Sequence, residues 1–123
     1  MMKPLQLARR YMDIFYSGEQ IEALMDILAE QCHFKGPLYE FYTSRDYVSS
    51  LLKDPPKNMS YQELSALECG NSACIIYQFV KGSIETPMCQ YFIVGDGKII
   101  DILLIFDTHV FLESDEAACV DKN

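Results

Sequence analysis

The chain has 123 residues, of which 50% are apolar and 23% are charged, a balance typical of one globular domain with its own core. Its 18 acidic residues outnumber the 10 basic ones, and the formal net charge is −8. Such a charge repels phosphate backbones and anionic membrane surfaces, so the composition argues against nucleic acid and membrane partners. With no membrane-spanning run and no secretory leader, we expect one cytoplasmic domain over residues 1–123.

The first half of the chain has mainly helical periodicity. Pro4 suits the first turn of a helix, and apolar residues then recur every three or four positions until Gly18. The same spacing predicts a second helix over residues 19–30. Thr43 is placed to cap a third helix, which Pro55 ends.

The rest of the chain is predicted to be mainly strand. We expect a short strand at residues 32–35 and an aromatic loop at 38–42, before the third helix. Four longer strands should follow at residues 60–69, 73–81, 85–94 and 98–108. Three helices and a strand meander predict an α+β fold whose sheet curves around the helices. Residues 112–123 form an acidic tail that has little to bury, so we expect it to be frayed.

The strongest local signal is the turn Gly95-Asp96-Gly97-Lys98 between two apolar runs, which predicts a β-hairpin. The second run, up to Asp107, is apolar on both faces. A strand of this kind needs cover on both sides, from helices on one and from something else, such as a second subunit, on the other.

The cysteines are expected to be reduced. Their number is odd, and there is no Cys-x-x-Cys pair, so they predict small packing groups rather than disulfides. They are Cys32, Cys69, Cys74, Cys89 and Cys119.

Several motifs, taken in order, resemble the nuclear transport factor 2-like superfamily, which includes ketosteroid isomerases and SnoaL-like polyketide cyclases. They are Arg10-Tyr11 ahead of Gly18, Phe34-Lys35-Gly36-Pro37, Gly95-Asp96-Gly97-Lys98-Ile99 and Phe106-Asp107. The resemblance covers roughly residues 4–111. It implies a cone-shaped, curved mixed β-sheet wrapped around three N-terminal helices, the cystatin-like arrangement.

The resemblance also implies which positions would carry chemistry. Tyr11 matches the tyrosine that donates to a forming enolate in ketosteroid isomerase-like members. The position of their proton-shuttling base falls at Gly36, and that of their second donor at about Cys89. The acid/base positions of SnoaL-like cyclases match Ile102 and Leu104, which are both apolar. The scaffold is therefore expected without the family's catalytic set.

Strict alternation along the last strand defines two faces. The cavity-facing set is Ile100, Ile102, Leu104 and Phe106, and the opposite set is Asp101, Leu103, Ile105 and Asp107. Leu103 and Ile105 need a cover, so we expect a homodimer through the outer sheet face.

Four side chains are candidates for acid/base catalysis: Tyr11, His33, Asp107 and His109. Each also has a structural interpretation. Tyr11 could be a core tyrosine and His33 a surface histidine, and Asp107 and His109 could form a structural pair at the end of the strand. His33 should point away from Phe34. No spacing supplies three metal ligands, so we expect neither a metal nor a cofactor.

The aromatic residues after the first helix favour an apolar cavity over a catalytic centre. They are Tyr39, Phe41, Tyr42, Tyr47, Tyr77, Phe79, Tyr91 and Phe92. The preferred hypothesis is a dimeric protein that binds a small hydrophobic or aromatic molecule. The predicted ligand contacts are Tyr11, Phe15, Phe34, Tyr39, Tyr42, Tyr91, Ile102, Leu104 and Phe106. One alternative is a lyase, cyclase or isomerase acting on a ketone-like substrate, and another is a protein-interaction module that uses the sheet face.

Overall fold

The computed structural model describes residues 2–111, so the predicted acidic tail lies outside the described residues. The helical elements are α1 (Pro4–Ser17), a 3₁₀ helix (Ile21–Asp26) and α2 (Ser44–Lys53). The strands are β1 (Leu28–Lys35), β2 (Glu40–Phe41), β3 (Met59–Cys69), β4 (Ser72–Lys81), β5 (Ile84–Gly95) and β6 (Lys98–Phe106). Among these residues, no helix is both long enough and apolar enough to cross a bilayer.

The strands form one curved, unclosed sheet in the order β2-β1-β6-β5-β4-β3. β1 and β6 run parallel, whereas every other neighbouring pair is antiparallel. The helices pack on one face of this sheet, α1 against β3 and β4 and α2 against β1. The predicted α+β class, with a curved mixed sheet around N-terminal helices, is confirmed.

The hairpin between β5 and β6 has the geometry that its turn residues predict. Gly95 pairs with Lys98, and the two residues between them, Asp96 and Gly97, have φ values of 51° and 76°. Two successive positive φ angles define the type I′ turn, whose twist matches that of the flanking strands. The hairpin places β6 at the centre of the sheet.

α1 ends where the chain requires glycine. Gly18 has a φ of 68°, and a Cβ atom there would lie 2.7 Å from the carbonyl oxygen of Pro56. The first turn of α1 is held by β3, because the Leu5 amide donates to Glu68 Oε2 at 2.9 Å. The predicted helix from Pro4 to Gly18 is thus found with its stop signal in place.

The second predicted helix is wrong in type and length. Residues 21–26 form a short 3₁₀ helix, and the chain is already in β1 at Leu28, four residues before the predicted strand start. Leu28 pairs with Ile99 of β6, and the Ile99 amide donates to the Ile27 carbonyl at 2.9 Å. This pairing with the central strand overrides the local helical spacing.

At two further places the strands differ from the prediction by more than one residue. The predicted loop at residues 38–42 contains β2, whose Phe41 and Glu40 pair with Phe34 and Lys35 of β1. The last strand ends at Phe106 rather than at residue 108.

One residue of β6 faces away from the side predicted for it. Ile100 was expected to face the helices, but it is 40% exposed. Ile99 pairs with Val94 and Asp101 with Ile93, so Ile100 is an extra residue at a bulge and Ile99 takes the buried position. Beyond the bulge, the predicted alternation holds.

Candidate functional site

A cavity of about 370 Å³ lies between the inner face of the sheet, α1 and α2. Its walls are mostly aromatic and aliphatic side chains, and the turn at residues 36–39 borders it. The ring of Phe34 stacks on that of Tyr47 with centroids 4.5 Å apart, which ties β1 to α2 at this wall. The volume is at the lower end of the range for small-molecule sites.

Six of the nine predicted ligand contacts line this cavity: Tyr11, Phe15, Phe34, Tyr39, Leu104 and Phe106. The other three lie elsewhere. Ile102 is fully buried in the core beneath the cavity, where it pairs with Phe92 of β5. Tyr42 is exposed and stacks on His33 at 5.2 Å, and Tyr91 is on the outer sheet face opposite Leu103. Alternation along β5 explains Tyr91, because its two neighbours in the strand are buried.

A row of polar side chains runs along the cavity. The Tyr16 hydroxyl lies 3.5 Å from that of Tyr77, and the Tyr77 hydroxyl donates to Gln90 Oε1 at 3.0 Å. The Gln90 side chain also interacts with the Tyr11 hydroxyl, which is hydrogen-bonded to the Tyr47 hydroxyl. All five residues line the cavity, and we call them the hydroxyl chain.

The Tyr11–Tyr47 end of the hydroxyl chain has a hydroxyl hydrogen to spare. The Gln90 side chain opposes the rise in the pKa of Tyr11, as a donor to the Tyr11 oxygen does. Tyr11 and Tyr47 then bring two hydroxyl hydrogens to the single contact between them. With Tyr11 donating to Tyr47, the hydrogen of Tyr47 has no acceptor in the hydroxyl chain. The end of the chain is therefore a hydrogen-bond donor at the cavity wall.

Burial keeps these phenols in their neutral form. It raises the pKa of Tyr11, Tyr16, Tyr47 and Tyr77 above the usual value of 10.0, because a phenolate would lose its hydration inside the fold. At neutral pH the hydroxyl chain thus donates and accepts hydrogen bonds but does not act as a base.

One charged residue is among the described lining. Asp54 follows the last turn of α2, and its side chain is exposed, which puts a carboxylate at the mouth of the cavity. No group of three or more His, Cys, Asp or Glu side chains within residues 2–111 is arranged to hold a metal ion.

The architecture is shared with many solved structures. A protein of unknown function from Cytophaga hutchinsonii, described as NTF2-like, is 19% identical, with a TM-score of 0.77 over 91% of this chain and 96% of that one. A proposed SnoaL-like polyketide cyclase from Jannaschia is 8% identical, with a TM-score of 0.77 over 89% and 88%. An LEH-like epoxide hydrolase from M. tuberculosis is 12% identical, with a TM-score of 0.73 over 96% and 95%. The chain has the nuclear transport factor 2-like fold.

At these identities the likeness shows the fold alone, and it confirms the resemblance drawn from the motifs. No family model matches the sequence, and a search of curated proteins finds no match. What the chain does with the nuclear transport factor 2-like fold must therefore be argued from its own side chains.

Of the four catalytic candidates, Tyr11 is the one that lines the cavity. His33 lies on the outer side of β1, where its Nε2 is 2.6 Å from Glu40 Oε2 and its Nδ1 is 3.6 Å from Asp101 Oδ1. The hydrogen bond with His33 lowers the pKa of the Glu40 carboxyl. His33 therefore bridges β2 and β6 across the outer surface.

The other two candidates lie beyond the end of β6. Asp107 Oδ1 accepts a hydrogen bond from the His109 backbone amide at 2.9 Å, and both residues are exposed. This contact closes a turn after the strand.

The positions that the nuclear transport factor 2-like resemblance implies for a base and a second donor carry no such group in the cavity. Gly36 lines the cavity but presents no side chain, with Leu104 packed beside it. Cys89 lies on the outer sheet face, and the buried Gln90 next to it faces the cavity instead. Gln90 is absent from the predicted site residues. Its signal was a polar residue at an inward position of β5, between Met88 and Phe92.

Proposed function

We propose that this protein binds a small, mostly apolar, uncharged molecule that carries a hydrogen-bond acceptor such as a carbonyl or hydroxyl oxygen. The observation that carries the proposal is the donor at the end of the hydroxyl chain. It lies within an aromatic and aliphatic wall, so an acceptor placed there replaces the water that the donor would otherwise need.

Charge narrows the class of ligand. The described lining contributes the Asp54 carboxylate at the mouth and no cationic side chain, and the chain as a whole carries a net charge of −8. A carboxylate ligand would be repelled by this negative charge and would find no cationic side chain in the described lining to pair with. A neutral ketone, ester or alcohol fits the cavity better than a fatty acid.

Binding is favoured over acid/base turnover because of where the candidates lie. The enzyme alternative needs His33, Asp107 or His109 beside Tyr11, but the lining among residues 2–111 includes none of the three. The hydroxyl chain alone offers polarisation of an oxygen, without a group to move a proton to or from carbon.

We also propose that two copies associate through the outer face of the sheet. Leu67, Cys74, Tyr91 and Leu103 form one row across four strands, and Ile105 lies in the next row opposite Cys89. Leu103 is 36% exposed and Ile105 53%. A second copy would cover this row with the same apolar row. We further propose a cytoplasmic location, which the free thiols of the described cysteines support.

The test of the ligand proposal is calorimetric titration with 2-acetonaphthone, a neutral aromatic ketone. The wild-type chain should bind it with one site per chain. Leu104→Trp, which fills the cavity, should abolish binding. The matched control Leu103→Trp adds the same side chain one residue earlier, on the outer face, and should retain binding. Loss in both variants, or in neither, would count against the cavity as the site.

A further inference from the structure

Two cysteines lie against each other on the outer face of the sheet. The Sγ atoms of Cys74 in β4 and Cys89 in β5 are 3.2 Å apart and share an S–H hydrogen bond. Both side chains are partly exposed, and neither lines the cavity. The thiol pair is thus separate from the ligand site.

The register of the sheet explains why these sulfurs meet. Cys74 pairs with Tyr91 and Cys89 with Ile76, so the two cysteines are diagonal neighbours on one face of adjacent antiparallel strands. The right-handed twist of a sheet brings one diagonal closer than the other. A disulfide has an S–S length of about 2.05 Å, so closure brings the two sulfurs roughly 1 Å closer together.

The other described cysteines are differently placed. Cys32 is buried on the inner side of β1, and burial raises the pKa of its thiol to about 12. Cys69 is exposed at the end of β3. Packing alone accounts for a buried thiol such as Cys32. It does not require two half-exposed thiols to lie in contact.

We propose that Cys74 and Cys89 are a reversible redox pair, converted to an intrachain disulfide by exchange with a small-molecule disulfide. The Cys74 thiolate attacks one sulfur of the reagent, whose S–S bond breaks and releases the first reagent thiolate. Cys89 then loses its proton and attacks the Cys74 sulfur of the mixed disulfide, which releases the second. The two protons lost by the protein end on the two reagent thiolates, so the protein is oxidised by two electrons and the reagent is reduced by two.

The surroundings of Cys89 favour one order of the two steps. Burial, and then the hydrogen bond with Cys74, raise the pKa of Cys89 to about 11. Cys89 is therefore protonated at neutral pH, which favours Cys74 as the attacking sulfur and Cys89 as the resolving one. In a reducing compartment the dithiol form prevails, and the disulfide marks a shift toward oxidising conditions.

The disulfide would join β4 to β5 behind the cavity. Gln90, the central member of the hydroxyl chain, follows Cys89 and faces the opposite side of the same strand. The redox pair does not depend on the proposed ligand, because it uses the outer face of the sheet. We propose the same face as the dimer interface, so a second copy would cover the thiol pair. Exchange therefore takes place when this face is uncovered, and it is measured in dilute protein.

The experiment uses the full chain with Cys69→Ser and Cys119→Ser, which removes the exposed Cys69 thiol and the thiol outside the described residues. The reduced protein is brought to equilibrium with oxidised glutathione at mildly alkaline pH and quenched with acid. We expect a mass loss of about 2 Da, protection of two thiols from alkylation, and a peptide that links Cys74 to Cys89. Dithiothreitol should restore the original mass.

Two further variants test the assigned roles. Adding Cys89→Ser should trap a stable glutathione adduct on Cys74, whereas adding Cys74→Ser should leave Cys89 largely unmodified over the same time. The proposal is overturned if the intact pair stays reduced in excess oxidised glutathione, stops at mixed disulfides, or cross-links two chains instead of closing within one.

Discussion

Five polar side chains lie in a row along a mostly apolar cavity, and each interacts with the next. Burying such groups is costly unless every one is satisfied. No buried side-chain nitrogen or oxygen in the described part of the chain lacks a partner. The row nevertheless ends in a hydroxyl hydrogen with no acceptor in the chain. An acceptor on a ligand completes the row, and this residue-scale feature is the basis of the functional proposal.

Tyr47→Phe removes the terminal hydroxyl and keeps the ring that stacks on Phe34. We expect affinity for 2-acetonaphthone to fall about 2- to 13-fold, since one hydrogen bond contributes about 0.5–1.5 kcal/mol. Affinity for 2-isopropenylnaphthalene, in which CH₂ replaces the carbonyl oxygen, should change little. Calorimetric titration of both probes measures the difference.

The paired probes separate loss of a donor from loss of shape. Equal weakening of ketone and alkene binding would mean that the substitution deforms the wall. No weakening of either would show that the hydroxyl chain does not reach the ligand.

The sequence predicted the apolar part of this site better than the polar part. Phe15, Phe34 and Leu104 follow from alternation and helical spacing. The hydroxyl chain joins α1, α2, β4 and β5, and which hydroxyl meets which depends on how these elements cross. That information is not local to any segment, so Tyr47 and Gln90 appear as site residues only in the folded chain.

At the scale of elements, α1 is fixed to β3 by an ion pair at the surface. The Arg9 guanidinium donates twice to the Glu63 carboxylate, at 3.1 and 2.9 Å. The hydrogen bond from Arg9 lowers the pKa of Glu63. Because the pKa is lower in the folded state, the pair stabilises the fold above the unfolded pKa of Glu63. This stabilisation is lost as the pH falls through the pKa of Glu63 in the folded state.

Glu63→Gln should therefore lower the free energy of unfolding by about 0.5 kcal/mol at neutral pH, a small figure because the pair is solvent-exposed. The difference from wild type should shrink as the pH is lowered through the acid range and when salt is added. Urea denaturation across this pH range measures it. Glu85→Gln, at an exposed position of β5, is the control and should show no such trend. A difference that grows on acidification would contradict the assigned sign.

The elements themselves were predictable where local and tertiary preferences agree. Pro4 and Gly18 bound α1, and the Asp96-Gly97 turn sets the central hairpin. The predictions of secondary structure are wrong where β6 pairs with its neighbouring strands. Leu28 has helical spacing around it but joins the parallel ladder with Ile99, and Ile100 is displaced by a bulge. The periodicity of one segment does not show which strand, distant in sequence, it will pair with.

At the scale of the whole molecule, the proposed dimer depends on the apolar row of the outer sheet face. Leu103→Asp places a charge in that row and should convert the dimer to a monomer in light scattering. Leu52→Asp changes an exposed leucine on α2, away from the sheet face, and should leave association unchanged. A wild-type chain that is monomeric at working concentration would contradict the proposed interface.

We propose that the cavity binds an acceptor-bearing apolar molecule through the hydroxyl chain. A crystal structure of the wild-type chain with 2-acetonaphthone tests it most directly. We expect the naphthalene ring between Phe34 and Leu104, with the carbonyl oxygen about 2.6–3.2 Å from the Tyr47 or Tyr11 hydroxyl. A ketone bound with its oxygen toward Asp54 at the mouth, or bound outside the cavity, would contradict it.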